Sequence, residues 1–144
     1  MANDLIEIVA ALIFDHEGQV LLVRKRGTKA FMQPGGKRDS GEDDVVALSR
    51  EIDEELGCRL VQSSIRTLGE FDAVAANEPG FRVRANLYAA EVTGEILPNR
   101  EIEEVVWINP SAPFDLVLAP LTRDHVLPIA SRLQREKMIY QRNC

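Results

Sequence analysis

The sequence predicts an α/β fold in which a mixed β-sheet carries helices packed against it. Three observations lead there. Apolar stretches of strand length alternate with turn compositions through most of the 144 residues. One segment, Ser40 to Leu56, switches to helical spacing, and a second helical segment follows near the end. The order strand, strand, short strand, helix, three strands, helix is that of a mixed sheet covered by helices. With 45% hydrophobic residues and a length near the commonest domain size, the expectation is one domain over residues 1–144.

Leu5 to Phe14 is almost continuously apolar, as a strand covered on both faces must be. Asp15-His16-Glu17-Gly18 is a turn composition and Gln19 to Val23 is apolar again, which predicts a β-hairpin. Gly27-Thr28-Lys29 and Pro34-Gly35-Gly36 isolate a short strand within Ala30 to Gln33. Ser40 is the expected helix cap, with Asp43 three residues on, and Gly57 is a natural C-terminal stop after Leu56. Leu60 to Ala75 and Phe81 to Val92 read as strands joined by Asn77-Glu78-Pro79-Gly80. In the second of them Phe81, Val83, Ala85, Leu87 and Ala89 share one face, and Arg82, Arg84, Asn86 and Tyr88 the other. Val105 to Ile108 is a short strand, and Pro110 to Pro120, with three prolines, is a loop. A helix is expected from about Thr122 to Lys137, with Pro128 bending or restarting it.

The formal charge is −6, and it is concentrated. Between Asp39 and Glu55 eight acids face one base, Arg50, so that segment carries −7 and the rest of the chain is nearly neutral. An acidic tail or a solvating disordered chain would spread its charge, and bulk charge argues against a nucleic-acid polymer as partner. Two cysteines, Cys58 and Cys144, offer no disulfide framework and fit a reducing compartment. The acidic start Met1 to Glu7 is unlike a secretory leader, and the run Ile8 to Phe14 is too short to span a bilayer. The expectation is a cytoplasmic protein without membrane attachment.

On a helical wheel with Glu51 at 0°, Glu55 falls at about 40°, Asp44 at about 20° and Glu54 at about 300°, beside a core stripe of Val45, Leu48, Ile52 and Leu56. Like charges so placed repel, and a divalent cation relieves the repulsion. Hard oxygen ligands in this number suit Mg²⁺ or Mn²⁺. Arg50 can orient Glu51 or Glu54, and the Gly35-Gly36 backbone can approach a phosphate or metal closely. An acid-rich helix face that is merely solvated is the alternative.

The full spacing decides between them. Gly36-x5-Glu42-x7-Arg50-Glu51-Ile52-x-Glu54-Glu55-x-Gly57-Cys58 resembles the signature of the Nudix hydrolases, departing only in Cys58 where the family has a bulky aliphatic residue. The strands around this box and the segment Glu101 to Trp107 also look like the family's arrangement. The resemblance implies an α/β/α sandwich with a mixed β-sheet, and cleavage of a nucleotide-linked diphosphate by water with Mg²⁺ or Mn²⁺. It implies Glu54 and Glu55 as metal ligands, Glu51 as ligand or general base, Arg50 as its orienting partner, the Gly36 carbonyl as a further ligand and Glu42 as a support for the loop and helix start. Glu101, Glu103 and Glu104 are candidates for an additional base or ligand, with a solvated turn as the alternative.

For substrate phosphates the candidates are Arg24 and Arg26, with neighbouring Lys25 and Lys29; the alternative is that these charges only solubilise the strand. Arg82 and Arg84, with Tyr88, share a face that either lines a cleft or serves as a homodimer surface. Phe31 and Phe81 either stack a base or belong to the core, Trp107 is core, and His16 and His125 have no ligand spacing. The leading function is a MutT-like pyrophosphohydrolase of nucleoside triphosphates, oxidised ones included. A non-catalytic Nudix-fold binding module would be expected to lack Arg50, Glu51, Glu54 or Glu55, and an isoprenoid diphosphate isomerase would call for a longer chain and a cleft cysteine. The arrays associated with NADH diphosphatases, and a proline where Ala73 and Val74 stand, are absent.

Overall fold

The structure, a computed structural model, describes residues 4–112 and 115–142, with side chains as far as residue 137. Cys144 lies outside the described residues. The chain forms β1 (Leu5–Ile13), β2 (Val20–Lys25), β3 (Phe31–Met32), β4 (Gly35–Gly36), α1 (Asp44–Leu56), β5 (Arg59–Leu60), β6 (Arg66–Val74), β7 (Arg82–Ala90), β8 (Val92–Thr93), β9 (Ile102–Ile108) and α2 (Leu127–Arg142).

β1 organises the molecule. Its residues Val9 to Ile13 are all buried, and they alternate between two cores. Val9, Ala11 and Ile13 join Leu48, Ile52 and Leu56 of α1, whereas Ala10 and Leu12 join Leu87, Val126 and Ala130 on the α2 side. β2 alternates in the same way, Leu21 and Val23 toward α1 and Val20 and Leu22 toward α2. Both strands therefore lie in one central layer between two helical layers, the α/β/α arrangement expected. Cys58, buried and free, packs in the α1 core as the small hydrophobe its position calls for. Trp107 packs against the same core.

The sheets are partitioned differently from the sequence expectation. β1 pairs in parallel with β7 from Leu5↔Arg82 to Ile13↔Ala90 and antiparallel with β4, in a mixed sheet ordered β4-β1-β7-β6. β2 pairs with β9 and β3 in a second sheet, and only a bridge at Phe14↔Val20 links it to the end of β1. The expected hairpin is thus corrected to a turn between sheets. The cause is that both edges of β1 are already taken by β4 and β7.

Three further differences are local. The helix cap is Asp43, whose carboxylate accepts from Val46 N at 2.9 Å, and not Ser40; the helix starts at Asp44. Gly57 stops it with a left-handed φ of 66° and an N–H donated to the Asp53 carbonyl, as expected. The long strand expected from Leu60 breaks into β5, a short helical turn at Gln62–Ser64, and β6. Before α2, Thr122–Val126 forms a widened turn with i→i+5 bonding, which runs directly into Pro128, a residue with no N–H to give. No helix among the described residues is long and apolar enough to cross a membrane.

Candidate active site

The box residues converge because a glycine strand, a loop and one helix face meet. β4 is held to β1 through Val9↔Gly36 and Ala10↔Gly35, with Ala11 N donating to Pro34 O at 3.0 Å. A Cβ on Gly36 would lie 2.5 Å from Glu51 Oε2, so only glycine admits the Glu51 carboxylate there.

Arg50 is the hub. Its Nε donates to Glu42 Oε2 at 2.8 Å and its Nη2 to Glu42 Oε1 at 2.9 Å, while Nη1 donates to Glu51 Oε1 at 2.7 Å and Glu54 Oε2 at 3.3 Å. Nη2 also reaches the Lys37 carbonyl at 3.0 Å, and Asp39 N donates to Glu42 Oε1, so the loop between β4 and α1 is fastened to the helix. The bonds from Arg50 and from the Asp39 N–H lower the Glu42 carboxyl to about 2. Arg50 itself is held more firmly protonated than usual, first by Glu42.

The two deeper carboxyls behave oppositely. Burial raises Glu51 above the ordinary carboxylate value despite its Arg50 bond. Glu55, only 4% exposed, is pushed up to about 7 by burial and then by the charge of Glu51, with the Gly35 N–H as its counterweight at 3.2 Å. Glu54 stays more open, its side chain 34% exposed. Because Arg50 draws Glu51 and Glu54 toward itself and Gly35 draws Glu55, no three acidic, imidazole or thiol groups among the described residues stand in a ready metal-binding arrangement.

Asp44, which the helical wheel puts on this stripe, is claimed by other partners. Burial opposes its charge, but bonds from Arg38, Tyr88 and Asn86 hold it below the usual range. The Tyr88 hydroxyl is pushed up to about 12, first by burial and then by Asp44. These bonds tie the loop and α1 to β7.

A cleft of about 460 Å³ opens beside the carboxylates. Its lining combines charged side chains, among them Lys25, Glu51, Glu55 and Glu101 beside Gly36, with apolar residues that include Ile8, Val83 and Leu121, the apolar slot of the cleft. A smaller hollow on the same side is bounded by Glu51, Glu54, Glu55, Glu101 and Arg100, a non-glycine residue with a φ of 56°.

Of the candidates outside the box, Glu101 reaches the cleft. Glu103 and Glu104 do not; they pair with Arg26 and Arg24, each at 3.1 Å. Arg24 and Arg26 are thereby placed in cross-strand ion pairs, and their neighbour Lys25 lines the cleft, its ammonium 3.9 Å from Glu101 Oε1. Arg84 forms a two-point pair with Asp72, and neither it nor Arg82 belongs to the cleft wall. Phe31 is buried core, while Phe81 is exposed and outside the cleft. His125 lies against the Phe71 ring, and His16 is exposed. Sequence reasoning missed Gln33 and Thr122, which line the slot; an amide just after a two-residue strand and a threonine in a helix turn carry no spacing signal.

This arrangement of sheet, helix and carboxylates can be set beside known proteins. A family model for the NUDIX domain matches residues 5–128, and the chain belongs to the Nudix family. It is a MutT-like hydrolase acting on phosphoric anhydride bonds. The chain is 28% identical over 116 residues to an 8-oxo-dGTP diphosphatase of Haemophilus influenzae, covering 78% of this chain and 82% of the other. It is 31% identical over 122 residues to the CTP pyrophosphohydrolase of Escherichia coli, covering 81% and 84%. The crystal structure of a MutT NUDIX hydrolase from Burkholderia pseudomallei matches with a TM-score of 0.68 at 27% identity, over 89% of this chain and 96% of that one.

Proposed function

We propose that this protein hydrolyses a phosphoric anhydride bond in nucleoside triphosphates with the help of Mg²⁺ or Mn²⁺. The observation that carries the reading is the Arg50 hub, which fixes Glu51 and Glu54 beside a glycine strand and a cleft lined by both charged and apolar side chains. The triphosphate belongs beside the charged side chains and the base in the apolar slot. The names of the two relatives, one acting on 8-oxo-dGTP and one on CTP, support a nucleoside triphosphate.

The donor set fits a hard divalent cation: carboxylate oxygens of Glu54 and Glu55, the Gly36 carbonyl, and a cradle at Gly36 that a Cβ would fill. A cation held by these residues would supply charge neutralisation to the phosphate oxygens and would make an attacking water more acidic. Arg50 holds Oε1 of Glu51 and leaves Oε2 facing Gly36, so Glu51 either completes the ligand set or takes the proton of the attacking water. Glu101, across the cleft, is the second candidate for that proton. Lys25 lines the same cleft, where its ammonium neutralises phosphate charge. Water adds to phosphorus, the anhydride P–O bond breaks, and the proton passes to a carboxylate.

The test is kcat/KM with Mg²⁺ for 8-oxo-dGTP, dGTP, CTP and dATP against ADP-ribose and dinucleoside polyphosphates. Preference for the triphosphates is expected. Preference for the second group would overturn the substrate reading, and cleavage of none of them the enzymatic one.

A further inference from the structure

Among the described residues, one buried side-chain polar atom has no hydrogen-bond partner, and it belongs to a residue that lines the cleft. Gln33 is 7% exposed, and its Nε2 has no hydrogen-bond partner, whereas its Oε1 accepts from the fully buried Thr122 hydroxyl at 2.7 Å. Both residues line the cleft, among Ile8, Ala10, Met32 and Leu121. A buried amide N–H left without a partner is costly, and here nothing structural uses it. With Oε1 placed on the Thr122 hydroxyl, the end of the amide left over is the Nε2 donor. Nε2 is itself buried, and because the last torsion of a glutamine side chain is soft, a turn of the amide is what brings it to a molecule in the slot.

We propose that Gln33 is a specificity-determining residue: its Nε2 donates to a carbonyl oxygen on the edge of a flat heterocycle seated in the slot, while Thr122 holds the amide oxygen. The inference rests on the reading of the cleft as a nucleotide site and adds the class of base, one that carries an oxo group where adenine carries an amino group. An amino group there would meet the amide donor to donor. The slot's size suits a base, since ligand pockets run from about 300 to 1,000 Å³.

Inosine and adenosine 5′-monophosphates are the matched probes, since they have nearly the same shape and carry oxo and amino groups at one position. Titration calorimetry on the folded protein is expected to show inosine monophosphate bound about tenfold more tightly, the scale of one hydrogen bond. Gln33→Leu, which keeps a similar shape and removes the donor, brings the ratio close to one in protein that circular dichroism shows to be folded. Gln33→Glu, an acceptor, weakens both ligands and reverses the ratio. Thr122→Val frees the amide to turn over and narrows the ratio. An unchanged ratio in Gln33→Leu, or no binding of either monophosphate, would overturn the proposal. Nucleoside triphosphate hydrolysis is assayed separately on the unsubstituted protein. Its absence alongside a Gln33-dependent ratio would count against the hydrolase reading alone, and its presence with a Gln33-independent ratio against this inference alone.

Discussion

Arg50 grips Glu42 at two points, Nε to Oε2 at 2.8 Å and Nη2 to Oε1 at 2.9 Å, and so leaves one nitrogen, Nη1, to serve both Glu51 and Glu54. A planar fork can do this and a lysine ammonium cannot. Arg50→Lys is therefore expected to keep the charge and lose the orientation. Its kcat should fall about 10²-fold, the scale of a misplaced catalytic group, with a much smaller change in KM. Steady-state kinetics at saturating Mg²⁺ check this.

The two glycines of β4 separate function from stability. At Gly36 an added Cβ meets the far end of a flexible side chain, the Glu51 carboxylate. Gly36→Ala should displace that carboxylate and lose most activity while Tm changes little. At Gly35 the Cβ would strike the backbone carbonyl of Val9, with φ at +152°. Gly35→Ala should destabilise the fold by roughly 1–3 kcal/mol, read as a shift in the denaturant midpoint.

Acid should unfasten the loop. Glu42 has a carboxyl near 2 in the folded protein against an ordinary 4.5, so the folded state binds that proton more weakly than the unfolded chain. The stability this contributes is complete above about pH 4.5 and is lost as pH falls toward 2. Glu42→Gln should be less stable than the natural protein at neutral pH. The gap in Tm between the two should close over that window, measured by circular dichroism melts from pH 7 to 2.

Arg26 illustrates a charge that the site does not use. Its pair with Glu103 is exposed on both sides and lies away from the cleft. Arg26→Ala should leave kcat/KM within about twofold and stability within about 0.5 kcal/mol. A large loss of kcat/KM would return Arg26 to the phosphate site.

The helix, its end at Gly57 and the convergence of the box residues on Arg50 were legible because their logic is local. Spacing along one helix puts Arg50 next to Glu51 and one turn from Glu54, and the match runs from Gly36 to Gly57. Strand partners were not legible, since nothing in Leu5 to Val23 announces that β4 and β7 will occupy both edges of β1. The same non-locality hid the fate of the charges. Arg24 and Arg26 find Glu104 and Glu103 only because β2 and β9 pair, and Asp44 leaves the acidic stripe only because β7 brings Asn86 and Tyr88 to it.

The central claim is that the Glu54 carboxylate helps hold the cation on which hydrolysis depends. The most direct measurement is the Mg²⁺-dependent kcat of Glu54→Gln on the best triphosphate, with circular dichroism to show that the fold is intact. A fall of about 10³-fold is expected, since the cation supplies several kcal/mol of charge stabilisation. Turnover in the folded variant equal to that of the natural protein would contradict it.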